Sequence, residues 1–492
     1  MKYKNLYFND DDTLTAIKKN ILWIIPIIAI VLWTSFTFDY SSPAPDEARY
    51  LYAANVVASG DTTVMAAETN TSRIPLNISA AADSIGGYIG ARVLSGIFGI
   101  LSMIVFFLFS KKLLNDTKGA VFALLLFALQ GPRIFISKSA GGEIFALFFL
   151  ICSMYFLIAD YWQKHKKDEV VPVSKQVKDI LLGIFFMILA VLCDNALVVY
   201  LPVLIILLAV RSPERGLVAA ALILVGIGVG MLISPEYSWL MTSSAPDRPI
   251  YRILLTAIEY SILPLILVIL SFQFPWKVNI PKAGIYTLLI LALPVVLMHI
   301  VTGNNDGLYK NINYSYVFLL PVAGQLLKEF LQINIDYRRA AIFLTVAAVL
   351  LSWNQVDRME NAAPDMTGAV EYIEENMNEE SVIFTDNEYL LFYSFYGKLK
   401  KDQIKALPDS EGADDRIMEN LLDGVYDFVM INGLRRPELA FLMREQLLPH
   451  NYIRVWHQDF INSSILRSNS RGTAEVYKVK DVPGQTVYAE NK

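Results

Sequence analysis

Asp46, Glu47, Arg49 and Tyr50 fall together in Pro45-Asp46-Glu47-Ala48-Arg49-Tyr50, just beyond the first long apolar run of the chain. Paired carboxylates at a membrane–water boundary can take a proton from a reacting group while the arginine holds an anion beside it. The same residues also make an ordinary helix start, with proline at the first position and both acids facing the positive helix N-terminus. Glu143 is a third carboxylate open to both readings, because it too begins an apolar run. His299 has no second histidine at ligand spacing, and Cys152 and Cys193 lie inside apolar runs. The sequence therefore implies no thiolate metal site and no disulfide framework.

The elements that must position these groups are membrane spans. Of 492 residues, 54% are hydrophobic and 18% charged, and the mean hydropathy is +0.42. Those values place the chain among polytopic membrane proteins and exclude a large soluble enzyme. The net charge of −5 hides a split: from Asp357 onward there are 24 acidic and 15 basic side chains, against 23 and 27 in the rest. A basic membrane body with an acidic tail argues against a nucleic-acid partner. Residues 21–38 form the first apolar run and follow Lys18-Lys19, so they read as an uncleaved signal anchor. The positive-inside rule then puts the N-terminus in the cytoplasm and the Asp46 segment outside.

Further apolar runs begin near residues 89, 119, 142, 179, 195, 216, 253, 283, 313 and 340, giving about eleven crossings at roughly twenty residues each. Basic clusters such as Lys111-Lys112 and Arg338-Arg339 fall on alternate connections, as cytoplasmic loops require. An odd number of spans places the tail outside with Asp46. The outward connection 39–88 is long enough for two short surface helices. Arg49, Arg73, Arg133, Lys138, Arg248, Arg252 and Lys310 then lie on the outer side, where cations need a reason. An anionic ligand supplies one, and loose binding of lipid headgroups competes with it.

The tail, 357–492, alternates helix-like and strand-like stretches: helical periodicity at 367–377 and 437–448, strands at 381–386, 426–431 and 475–479. An α/β domain of that size can fold alone. It has no glycine-rich phosphate loop and no nucleophile elbow, so it reads as a cover or an acceptor platform. The expected division is a transmembrane domain over 1–356, with the motif on its outward loop, and this tail.

From Asp46 to about Gly99 the chain resembles the C-type-fold glycosyltransferases that use lipid-linked sugars, especially the aminoarabinose transferase and protein O-mannosyltransferase families. The residues that carry the resemblance are Asp46-Glu47-Ala48-Arg49-Tyr50, Ala58-Ser59-Gly60-Asp61, Arg73-Ile74-Pro75-Leu76 and Ala91-Arg92-Val93-Leu94-Ser95, in the family's order and spacing. More weakly, Lys138 to Glu143 resembles the family's second outward acidic position, and Asn313-Tyr314 to Pro321 a late span. The chain departs from the pattern where Pro-Pro becomes Ile74-Pro75, and where Asp194-Asn195 stands for an expected lysine.

The resemblance implies a polytopic α-helical membrane protein with a C-terminal extracytoplasmic α/β domain, in a cell membrane of the prokaryotic inner-membrane kind. It implies a glycosyltransferase that moves a sugar from a polyprenyl phosphate donor to an acceptor hydroxyl on a glycolipid, protein or cell-envelope polymer, inverting the anomeric carbon. Asp46 is then the general base, with Glu47 as runner-up and Glu143 as a second carboxylate. Arg73 and Lys310 are the first candidates for the donor phosphate, with Arg248 and Arg252 behind them. Arg49, Tyr50, Tyr88 and Tyr309 would line the sugar and acceptor cavity, although tyrosines also gather at membrane interfaces. No cofactor is required, and a divalent cation held through Asp46 and Glu47 is compatible with the pattern. The readings from other classes are a membrane transporter, and an extracytoplasmic assembly scaffold without transferase activity.

Overall fold

The computed structural model describes residues 42–60, 71–158, 173–211, 213–233, 249–273, 282–303, 305, 307–407, 414–433, 436–464 and 467–480. The expected first span at 21–38 and the candidate Arg248 lie outside the described residues. The chain divides into two compact units, one of residues 1–37, 70–75 and 84–356, the other of 38–69, 76–83 and 357–492.

The first unit is helical: α2 (Arg73–Leu114, with residues 76–83 counted in the other unit), α3 (Thr117–Ala128), α4 (Gly131–Lys138), α5 (Glu143–Leu157), α6 (Val173–Cys193), α7 (Tyr200–Arg211), α8 (Pro213–Ile233), α9 (Ile250–Gln273), α10 (Lys282–Ala292), α11 (Pro294–Thr302), α12 (Leu308–Ile333) and α13 (Ile335–Glu360), while α1 (Pro45–Ala58) belongs to the second unit. Every apolar run expected past residue 88 is a helix, but the expected count of about eleven spans is not met. Among the described residues six helices are long and apolar enough to cross a membrane, or seven if the bent pair α3–α4 is one span. The reason is local. α3 and α4 meet at 64° across Leu129-Gln130, and α5 is only 15 residues long. At Asp194 the chain passes from α6 through a 3₁₀ turn, Asn195–Val199, into the short α7.

Breaks in a membrane helix free backbone carbonyls that must find donors. At the break before Pro294, the Ser315 hydroxyl of α12 donates to the Ala292 carbonyl (2.6 Å). α12 can serve its neighbours because it is the most enclosed span: 72% of its apolar window is buried, against 22–44% for the other five. Gly324 lets it approach α3 closely, since a Cβ there would come within 2.3 Å of the Ala123 amide nitrogen.

The second unit is an α/β structure around a five-stranded sheet: β1 (Ile383–Thr385), β2 (Ile404–Ala406), β3 (Phe428–Ile431), β4 (Tyr452–Ser464) and β5 (Arg467–Val479), in the order β2-β1-β3-β5-β4. β1 pairs in parallel with both β2 and β3, and β5 runs antiparallel to β3 and β4. Side chains alternate across the sheet. Phe384, Val429 and Ile431 face one core with Leu421, Leu439 and Met443. Ile383, Phe428 and Met430 face the other, where Ala48, Tyr52 and Val56 of α1 join them. Those three residues recur at i, i+4 and i+8, which is one stripe of a helix. Tyr52 seats on Phe392 with ring centroids 5.2 Å apart. The hexapeptide that opens α1 is therefore held by the tail's own core.

Candidate functional site

Lys310 is a buried cation in the first turn of α12. Its ammonium lies 3.3 Å from Glu143 Oε1, at the first residue of α5. The carboxylate fits because position 141 is glycine, where a Cβ would come within 2.2 Å of Glu143 Oε2. A Cβ at Gly142 would meet the Cys193 carbonyl oxygen at 2.6 Å and Thr71 Oγ1 at 2.9 Å. The Thr71 hydroxyl donates to the Cys193 carbonyl (3.2 Å), and the Ser72 amide to the Leu192 carbonyl (2.9 Å). These contacts fix the start of α2, and with it the half-buried Arg73, beside the turn that carries Asp194.

Asp194 accepts hydrogen bonds from the Tyr314 hydroxyl (2.6 Å) and the Ala196 amide (2.9 Å). Tyr314 follows Lys310 by one turn on the same side of α12. The Asn313 side-chain amide donates to the Lys310 carbonyl (2.8 Å), and the side chains of Asn311 and His299 meet at 3.2 Å. Segments 71–73, 141–143, 193–195 and 310–314 thus form one polar junction, largely buried, in which a cation, two carboxylates and a phenol partner one another. Polar groups so enclosed persist only when paired. The junction brings together three of the expected site residues, Arg73, Glu143 and Lys310. In the sequence Asp194 is a departure from the family pattern and Tyr314 part of a weak match, and nothing there makes them a pair. The available signal was a lone acid between two apolar runs, which inside a membrane marks a functional site by default.

Other expected residues of the first unit make further contacts. Tyr309 is half-buried, with its ring 6.0 Å from Phe135 and 6.2 Å from Tyr260, and the Lys310 ammonium 5.8 Å from its own ring. Tyr88 lies 4.9 Å under the guanidinium of the fully buried Arg92, one helical turn on. Arg133 is fully buried and donates from Nη2 to the Gly99 carbonyl (2.8 Å), tying α4 to α2. Arg252 is exposed, although its neighbour Ile253 packs near Leu308 at the start of α12.

In the second unit Asp46 and Glu47 part company. Asp46 is exposed, whereas Glu47 is 2% exposed and accepts the Ala44 amide on Oε2 (3.3 Å), which caps α1. Arg49 lies 6.0 Å over the Tyr389 ring. The Tyr50 hydroxyl meets Ser79 Oγ at 3.1 Å. Asp83 accepts from Asn55 Nδ2 (2.9 Å) and from the Tyr393 hydroxyl (2.6 Å), a tie between α1 and the tail that no local pattern in the sequence announces. Among the described residues no three His, Cys, Asp or Glu side chains converge as a metal site.

Comparison with known proteins gives a fold. No family model matches the chain, and no curated protein matches it. Solved structures do. ArnT from Cupriavidus metallidurans in the apo state is 14% identical with a TM-score of 0.54, over 93% of this chain and 98% of that one. The same protein bound to undecaprenyl phosphate is 12% identical with a TM-score of 0.53, over 94% and 98%. The archaeal oligosaccharyltransferase AglB from Archaeoglobus fulgidus, in complex with an inhibitory peptide and a dolichol-phosphate, is 13% identical with a TM-score of 0.55, over 95% and 75%. The chain is thus a polytopic α-helical membrane protein with the fold of C-type glycosyltransferases and a further C-terminal region.

Proposed function

We propose that this protein is an integral membrane glycosyltransferase that moves a sugar from a polyprenyl phosphate donor to an acceptor hydroxyl on a glycolipid, protein or cell-envelope polymer. The observation that carries the reading is the shared fold over nearly the whole chain with proteins seen holding undecaprenyl phosphate or dolichol-phosphate. The junction at the start of α12 adds the chemistry a lipid phosphate needs: a lysine held in low-dielectric surroundings, with an arginine at the neighbouring helix start.

Two obstacles limit such a transfer. A neutral hydroxyl is a weak nucleophile, and the leaving phosphate gains charge. Asp46 answers the first as general base, worth about 10² to 10⁴ in rate. Its exposure supports that role over Glu47, whose carboxylate is engaged at its own helix start. Lys310 and Arg73 answer the second by stabilising the departing phosphate. Attack from the face opposite the phosphate inverts the anomeric carbon. A divalent cation is optional here: the Archaeoglobus fulgidus oligosaccharyltransferase has been seen in complex with zinc and sulfate, whereas the described residues of this chain offer no ligand set of three. The N-terminus is cytoplasmic in this reading, and Asp46 and the tail are extracytoplasmic.

Membranes containing the protein, supplied with a panel of radiolabelled polyprenyl phosphate sugars, test the assignment. Free polyprenyl phosphate is expected from at least one donor, with the label moving into a glycolipid, protein or polymer fraction. If no donor is consumed, a transporter or scaffold takes the place of the transferase.

A further inference from the structure

The Glu143–Lys310 pair has an asymmetry. The lysine side chain is 9% exposed and the glutamate 24%. The cation is thus the fixed member, set in the first turn of a 26-residue helix whose N-terminal end is itself positive. Its neighbours anchor it: the Asn313 amide holds the Lys310 carbonyl, and Tyr314, one turn on, is locked to Asp194. The carboxylate is the reachable member. Gly141 leaves open the space that its Oε2 occupies, where a Cβ would push that oxygen aside. A helix N-terminus joined to a buried lysine is the arrangement that receives a phosphate. In this chain a carboxylate of its own sits at that cation.

We propose that Glu143 is an exchangeable counter-ion, which holds Lys310 while the site is empty and gives way to the phosphate of the polyprenyl phosphate. This rests on the transferase reading and adds a regulation to it. An unpaired buried ammonium is costly, because it has lost its water and gained no counter-charge. The carboxylate meets that cost in the empty protein. It also sets the affinity, because every incoming phosphate must break the pair before making its own. Release of the lipid phosphate product is helped by the same competition, since Glu143 returns to the lysine as the phosphate leaves. A purely structural ion pair behaves differently: removing Glu143 then lowers stability and leaves lipid-phosphate affinity unchanged or reduced.

The test is the binding of radiolabelled undecaprenyl phosphate to the full-length protein in nanodiscs of zwitterionic lipid, with thermal melts as the check on folding. Glu143→Gln is expected to tighten binding by about tenfold, the worth of one charge-assisted contact. Lys310→Met is expected to weaken it by at least that factor. The double variant is expected to match Lys310→Met, because the glutamate acts only through the lysine. Glu143→Asp, which keeps the charge on a shorter stem, gives an intermediate gain and serves if the glutamine variant does not fold. Inorganic phosphate is the second probe: tightening for both ligands means the headgroup alone is read, tightening for the lipid alone means the chain is needed, and either supports exchange. Unchanged or weaker binding by Glu143→Gln, with wild type binding normally, overturns the counter-ion and leaves the transferase standing. No binding by wild type or by any variant overturns the transferase reading itself.

Discussion

Asp46 and Glu143 look alike in the sequence, each an acid at the start of a helix, yet the two units of the molecule give them different surroundings. Asp46 is exposed on α1, a helix whose opposite stripe is buried against the tail's sheet. Glu143 belongs to the membrane unit and is ion-paired to a buried lysine. An acid on a rigid support facing water can accept a proton and return it to solvent. An acid tied to a cation at low dielectric is better suited to holding or yielding an anion position. The proposed reaction needs both behaviours, and the difference assigns one to each unit.

If α1 is positioned by the tail's core, cutting its anchor should disturb Asp46 without touching the junction. Tyr52→Ala removes a ring that is 6% exposed and packed against Phe392, and is expected to destabilise the second unit by about 3 kcal/mol. Hydrogen exchange should rise in α1 and the sheet while α12 keeps its protection. Equal loosening of α12 would break the comparison.

A smaller effect sharpens it. Asp386 follows β1 and accepts the amides of Asn432 (2.9 Å) and Gly433 (2.7 Å) after β3. Burial nonetheless outweighs those bonds and pushes its carboxyl up to about 6. An acid with a raised folded-state value binds its proton more tightly folded than unfolded. Its contribution to stability is thus full below about pH 4 and is lost as pH rises through about 6. Across that window the second unit is expected to become less stable, and Asp386→Asn to flatten that slope relative to wild type. A slope unchanged in the variant would mean that Asp386 is not the group responsible.

Much of the fold is legible in the sequence because apolar runs and alternation are local signals. The helices from residue 89 onward, the strand over 381–386 and the helix from 437 all follow from periodicity. The span count fails where composition is blind to geometry: the chain bends by 64° at Leu129-Gln130, between α3 and α4, in what reads as one apolar run. β4 is missed because Tyr452 to Gln458 mixes charged and aromatic residues, and its pairing with β5 is settled by tertiary contact. The site is legible only as a collection of candidates. Lys310 and Glu143 lie far apart in the chain, and so do Asp194 and Tyr314, so no spacing rule links them. The glycines at 141 and 142 look like loop residues until the contacts a Cβ would make are seen.

The measurement that bears most directly on the division of labour sets Asp46→Asn beside Lys310→Met and reads donor turnover and undecaprenyl phosphate binding on the same preparations. The account predicts that Asp46→Asn loses about 10² to 10⁴ in turnover while holding lipid phosphate nearly as wild type does, and that Lys310→Met loses the binding. Turnover that survives Asp46→Asn, or binding that falls as far in that variant as in Lys310→Met, would contradict it.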